Sequence, residues 1–243
     1  MTDKQFNKWF SAFILVGMAV VTVVVTAIKF RDADSGRAML LISAFGSLMG
    51  VLCTVLVANG RILNFLFGIL DVSIYGAMCL VGTRYGNAAL HLLYFLPMQF
   101  IGYFQWKKRG AHEEKKVQAR RLTGKQWLLY GGIFLAGLIA AYFILAALDK
   151  TEAAGIVKWL VVMDAFSMMC NILGQYLLST AYMEQWFFWI AVNVSTILMW
   201  VFTLRQNPDT AFANIYIVKY SFYLLNSLNG LRIWLKLSRG ETA

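Results

Sequence analysis

The residues best suited to bind something are Trp186, Trp189 and Asn193, which lie i, i+3 and i+7 within one apolar stretch. On a helix that spacing places all three on one face. Two indoles and an amide along one stripe suit a flat heteroaromatic ring, stacked by the indoles and hydrogen-bonded by the amide. If the ring were cationic, the indole faces would add about 0.5 to 2 kcal/mol of cation–π attraction. A plainer reading of the same residues puts Trp186 in an interfacial belt and Trp189 in helix packing.

Further polar side chains fall in the middle of apolar stretches. Asp164, Asn171 and Gln175 share one stretch, with the two amides four apart. Gln99 and Tyr103 are four apart on another, and Asn226 and Asn229 three apart on the last. For any one of these amides the plainer role is a hydrogen bond between helices; what points to a site is that several converge on helices related by an internal repeat. Asp71, Asp164 and Lys219 are costly to leave uncompensated at membrane depth, so at least one ion pair involving Lys219 is expected. No His or Cys cluster has metal-ligand spacing, no Gly-rich loop could cradle a phosphate, and no Ser, His and Asp set stands out. The chain therefore reads as neither enzyme nor metalloprotein, and no cofactor is expected.

The elements that carry these residues follow from composition. Of 243 residues, 60% are hydrophobic and 14% charged, with a mean hydropathy of +0.63; soluble domains are about half apolar and a quarter charged. The apolar residues come in long runs, not in strand-like alternation, and inside lipid only helices and closed barrels satisfy the backbone. Eight stretches are long enough to span: 9 to 29, 38 to 58, 61 to 82, 86 to 106, 127 to 148, 156 to 180, 184 to 204 and 210 to 236. The first is too long for a signal-peptide core and is expected to remain as a helix. Cys53, Cys79 and Cys170 lie inside apolar runs and read as packing residues.

The net charge of +10 could point to nucleic acid, but eight of the 22 basic residues fall in the single loop 107 to 126. The positive-inside rule accounts for that cluster, puts both termini in the cytoplasm, and excludes a nucleic-acid partner. On that topology 14 Lys or Arg lie inside and 7 outside. Trp9, Trp106, Trp127, Trp159 and Trp234 fall at helix ends, where an aromatic belt belongs.

The chain also resembles itself. Residues 43 to 45 match 164 to 166 at an offset of 121. With one further residue of shift, Asn64, Phe67, Asp71 and Ser73 fall opposite Trp186, Trp189, Asn193 and Ser195. Further on, Gly102 and Trp106 answer Gly230 and Trp234. The expected organisation is an extra N-terminal helix (1–37), a three-helix unit (38–106), a basic loop and linker helix (107–155), and a second three-helix unit with the C-terminal tail (156–243). Three crossings reverse the side and the linker restores it, so the two units are parallel repeats. This is the 3+1+3 plan of the SWEET sugar carriers, whose solute site lies near the midplane between repeats. The fold class expected is all-α integral membrane, with eight transmembrane helices.

Two segments carry a resemblance to a known family. MQFIGYFQWKKR (98 to 109) resembles a Gln-x-x-Gly-Tyr-x-x-Trp signature, and LGQYLLSTAYMEQWFFWIAVNVSTI (173 to 197), with its Trp-x-x-Trp-x-x-x-Asn, is similar to the PnuC nicotinamide riboside transporters. The likeness runs in hydropathy and helix order from about 38 to 236. It implies a SWEET-like fold, a homotrimer in the bacterial inner membrane, and facilitated diffusion of nicotinamide riboside, a cationic pyridinium bearing an amide and a ribose. By the same resemblance Trp186, Trp189 and Asn193 match the seventh-helix motif and Gln99 the fourth-helix glutamine. Gln175, Asn171, Tyr103, Asp164 and Asn226 complete the expected substrate-binding set. The first repeat departs from the motif, with Asn64, Phe67 and Asp71 in place of Trp, Trp and Asn, so ring stacking is expected mostly from the second.

Two other readings stay open. One is a carrier of thiamine or riboflavin, whose transporters have similar architecture. The other, of a different class, is a retinal-type photoreceptor, because a lone lysine in the last helix, Lys219, could form a Schiff base.

Overall fold

A computed structural model describes residues 2–31, 36–83, 85–112, 115–148, 156–206 and 213–240. The segments expected at 149–155 and 207–212, the start of the last apolar stretch included, lie outside the described residues. Within them the protein is helical, and the only β-pairing is a bridge between Arg120 and Tyr182.

The helices are α1 (Asp3–Arg31), α2 (Arg37–Ala58) and α3 (Asn64–Val81), then a segment in three parts, α4 (Tyr85–Ala89), a π-helical stretch (Leu90–Phe95) and α5 (Leu96–Lys108). They are followed by α6 (Gly124–Leu148), α7 (Ile156–Ser179), α8 (Gln185–Gln206) and α9 (Ala213–Leu237). The widened turns ahead of α5 lie next to Pro97, which has no N–H to give to the preceding turn; a π-bulge is one way a helix absorbs that loss. Among the described residues six helices, α1, α2, α3, α6, α7 and α8, are long and apolar enough to cross a membrane. The α4–α5 segment is broken by its π turns, and α9 carries Asn226, Ser227, Asn229 and Arg232 along its length.

Helix contacts form a closed ring. α2 packs on α3, α3 on α5, α5 on α7, α7 on α8, α8 on α9, and α9 back on α2. Outside the ring, α1 lies against α2 and α9, and α6 lies against α7. Lipid tails are as apolar as leucine, so such contacts rest on close packing and on polar bonds between helices. Gly102 and Gly230 show the packing: a Cβ at Gly102 would fall within the Phe65 ring, and one at Gly230 within the Trp186 ring.

The corner between α2 and α3 and the corner between α7 and α8 are built alike, 121 residues apart. Gly60 N–H donates to the Val57 carbonyl at 2.9 Å, and Ala181 N–H to Leu178 at 2.9 Å. Arg61 N–H reaches Leu56 at 2.9 Å, and Tyr182 N–H reaches Leu177 at 2.8 Å. Both turns need a left-handed residue, with φ +67° at Gly60 and +62° at Ala181. Glycine adopts that conformation freely, whereas an L-residue such as Ala181 costs about 1–2 kcal/mol there.

The basic loop is an ordered strap across both corners. Val117 N–H donates to the Gly60 carbonyl at 3.0 Å and Arg120 N–H to Ala181 at 2.7 Å, while Met183 N–H returns to Arg120 at 2.9 Å. Glu184 Oε1 accepts from Leu122 N–H at 2.9 Å, and Ala111, Val117 and Ala119 are buried beneath the strap. Burial, with the nearby Arg61 charge adding to it, lowers the Lys116 pKa from its ordinary value. Arg109 is lowered chiefly by burial and further by Arg120, with Tyr182 opposing.

Candidate functional site

Directly under the strap is an aromatic layer contributed by four helices. Trp106 from α5, Trp234 from α9, Phe65 from α3 and Trp186 from α8 belong to one buried cluster. Trp106 and Trp234 were expected in an interfacial belt, yet neither is exposed. The reason is polar as well as apolar: each buried indole N–H needs an acceptor and finds a carbonyl, on α7 and α2 respectively. Trp9, Trp127 and Trp159 do stand exposed on the outer surface.

Trp186 is 2% exposed, edge-on to Trp234 with ring centroids 6.3 Å apart. It is not a belt residue. Trp189, one turn along α8, is half-buried, packs against the same cluster, and lies over Gly174 of α7, where a Cβ would stand 3.3 Å from its ring. Asn193, a further turn along, is buried and donates to Ser227 Oγ of α9 at 3.1 Å. The stripe thus faces α7 and α9, inside the ring of helices.

Several of the other expected residues lie in the same ring of helices. Asn226, next to Ser227, is buried and donates to the Thr54 carbonyl of α2 at 3.1 Å. Gln99 is buried on α5, its Oε1 beside Gly68 of α3. Gln175 is buried and donates to Ser179 Oγ at 3.2 Å, which in turn donates to the Met98 carbonyl at 2.9 Å and so ties α7 to α5. Asn171 is half-buried and bonds its own helix, Nδ2 to the Ser167 carbonyl at 2.8 Å; Ser167 Oγ lies 3.3 Å from Ser195 Oγ of α8.

Two residues stand apart. Asp164 is exposed, and Tyr103, 37% exposed, packs edge-on to Phe104 with the Lys107 ammonium 6.0 Å from its ring centre. Neither is brought to the indoles. The ion pair expected of Lys219 is not formed either: its ammonium lies 5.8 Å from the Tyr223 ring centre, within electrostatic reach of Asp71.

Among the described residues the buried polar atoms without a hydrogen-bond partner are Trp186 Nε1 on the stripe, Gln99 Oε1, Asn229 Nδ2, and Asn64 Oδ1, Glu184 Oε2 and Gln185 Oε1 at the two helix corners. An orphaned buried donor or acceptor costs roughly 1–3 kcal/mol, a cost that a polar ligand could remove. Two apolar grooves, of about 510 Å³ between α1 and α2 and about 260 Å³ between α6 and α7, lie away from the stripe and are lined by none of the expected residues. Among the described residues no three His, Cys, Asp or Glu side chains come together as a metal site would need.

Sequence reasoning missed Phe65, Gln185, Ser227 and Ser179. The signal for the first two was the 121-residue offset itself. The corner hydrogen bonds keep it without the extra residue of shift: Phe65 N–H to Ile62 matches Trp186 N–H to Met183. Likewise the Asn64 side chain donates to the Arg61 carbonyl as the Gln185 side chain donates to Tyr182. Trp186 therefore stands where Phe65 stands, not where Asn64 does.

Comparison with known proteins bears on this arrangement. The model of the nicotinamide mononucleotide transporter family matches residues 40–236. The nicotinamide riboside transporter PnuC of Neisseria mucosa is 32% identical over 200 residues, covering 81% of this chain and 72% of its own. That of Haemophilus influenzae is 29% identical over 236 residues, covering 96% and 94%. A solved structure described as the vitamin B3 transporter PnuC superposes with a TM-score of 0.67 at 29% identity, covering 100% of this chain and 94% of the other.

Proposed function

The chain belongs to the nicotinamide mononucleotide transporter family, and we propose that it is a multi-pass inner-membrane carrier of nicotinamide riboside. The observation that carries this reading is the stripe Trp186, Trp189 and Asn193, turned into the helix ring with the Trp186 indole N–H left without a partner. Nicotinamide riboside has a flat cationic ring for the indoles, an amide that both donates and accepts, and a ribose rich in hydroxyls. The family is one of transporters and not enzymes. That membership displaces the retinal reading, whose sole support was Lys219.

Transport is by facilitated diffusion through alternating access, in a 3+1+3 arrangement with α2, α3 and α4–α5 as one unit, α7, α8 and α9 as the other, and α6 as linker. The recurrence of corner hydrogen bonds at one offset supports two related units. All eight rods cross the bilayer, both termini and the strap lie in the cytoplasm, and three copies assemble. The strap carries the densest run of basic residues, which supports that orientation. With the aromatic layer packed under the strap, the site is closed on the cytoplasmic side, and release inward requires that layer to part.

The test is calorimetric titration of purified protein with nicotinamide riboside, thiamine and riboflavin, together with uptake into vesicles. Saturable uptake of nicotinamide riboside without any ion gradient is expected. Binding of thiamine or riboflavin alone would reassign the substrate, and a strict requirement for a proton or sodium gradient would reject passive transport.

A further inference from the structure

Asp71 has no role in the stripe, yet it is held with care. Its carboxyl group lies against Gly50 of α2, where a Cβ would stand 2.9 Å from the carboxyl carbon and from both oxygens. Any side chain at position 50 would displace it. Lys219 and Tyr223 of α9 and Cys53 of α2 are within electrostatic reach, and the Lys219 ammonium faces the Tyr223 ring without meeting the carboxylate in an ion pair. A nearby cation of this kind favours the charged form of a carboxylate, against the burial that disfavours it.

Depth places this carboxylate level with the stripe. α3 and α8 leave matching corners, with Phe65 equivalent to Trp186. Asp71 is six residues beyond Phe65 and Asn193 seven beyond Trp186, so at about 1.5 Å of rise per residue they stand about 9 and 10.5 Å from the aromatic layer. One turn nearer that layer, Gly68 is flanked by Gln99 Oε1 and by Cys53 Sγ, the latter 3.2 Å from where a Cβ would stand. Cys53 itself packs against the aromatic cluster. The residues named around the stripe, Trp186, Trp189, Asn193, Ser227, Asn226, Gln99 and Gln175, are all neutral. Asp164 is exposed and Glu184 is at the strap corner.

Resting on the nicotinamide riboside reading above, we propose that Asp71 is the charge-selecting residue of the site, favouring a positively charged ring, and that Lys219 opposes it. The carboxylate attracts the pyridinium, while the ammonium partly offsets that field and keeps the cation from being held too tightly to leave. Neither residue needs to touch the ligand, because charge acts over several ångströms in a medium of low dielectric.

The probes are nicotinamide riboside and its reduced 1,4-dihydro form, which keeps the amide and ribose but carries no charge on the ring. Calorimetry on the wild-type protein is expected to show the cationic form bound at least about tenfold more tightly. Asp71→Asn should remove most of that preference while leaving affinity for the neutral form within about twofold. Lys219→Gln should shift the preference the other way, toward the cation. A merely structural role for either residue would change both affinities together. Equal wild-type affinity for the two forms overturns the proposal while the transport reading stands, and so does an unchanged preference in Lys219→Gln, which serves if Asp71→Asn does not fold. If the wild-type protein binds neither form, the transport reading itself falls, and this inference with it.

Discussion

The ring centroids of Trp106 and Trp234 lie 5.3 Å apart beneath the strap, and the two indoles bond in opposite directions. Trp106 Nε1 donates to the Leu178 carbonyl at the end of α7, and Trp234 Nε1 to the Val57 carbonyl at the end of α2, each at 2.8 Å. The two acceptors are themselves 121 residues apart. One bond ties α5 to α7 and the other ties α9 to α2. The pair is therefore a cross-brace for the strap side of the molecule.

Trp106→Phe and Trp234→Phe should each remove a buried hydrogen bond and leave space where the larger indole stood, lowering stability by roughly 1–3 kcal/mol. Thermal melts in detergent read this. Because the rings touch, the double variant should depart from the sum of the singles by at least about 0.5 kcal/mol. Strict additivity would mean that the two braces act independently.

The two tryptophans of the stripe should separate by assay. Trp189 is half-buried, so Trp189→Ala should weaken nicotinamide riboside binding at least about tenfold, from the roughly 1–3 kcal/mol of a stacked ring, with a modest loss in melting temperature. Trp186 is fully enclosed, and Trp186→Ala should cost about 3–5 kcal/mol of stability as well. Unchanged affinity in Trp189→Ala would remove that residue from the site.

Gly102 and Gly230 seat equivalent rings with unequal duties. Gly230→Ala should push Trp186 aside and reduce both stability and ligand affinity, whereas Gly102→Ala displaces Phe65 and should reduce stability alone. Calorimetry beside melting curves distinguishes them. Equal losses of affinity would place Phe65 in the site too.

Glu184 holds the strap through the Leu122 amide. Glu184→Ala should loosen residues 116–122, seen as faster amide hydrogen exchange there and faster tryptic cleavage after Arg120 and Arg121. Protection equal to wild type would show that the backbone bonds at Gly60 and Ala181 hold the strap unaided.

Much of this was legible in the residues. Long apolar runs specify membrane helices because a backbone in lipid must satisfy itself, and their length is set by the bilayer. The stripe at 186, 189 and 193 was visible because helical periodicity fixes which side chains share a face. Family membership was legible in the same segment. The 121-residue offset of the two matching corners was legible in short matches, though the register read beyond it was one residue out.

What periodicity leaves open is which neighbour a face meets. It could not tell that Trp106 and Trp234 turn inward to carbonyls on distant helices while Trp9 stays outside, since all three sit at helix ends. Nor could it tell that Gln99 is enclosed while Tyr103, one turn away, is exposed. Those outcomes are decided by packing: how closely Gly102 and Gly230 admit a ring, and which buried carbonyl lies within reach of an indole N–H. The sequence by itself determined the helices and the faces they present. Only the tertiary structure decided which of those faces close on one another, because burial and hydrogen-bond geometry belong to pairs of residues far apart in the chain.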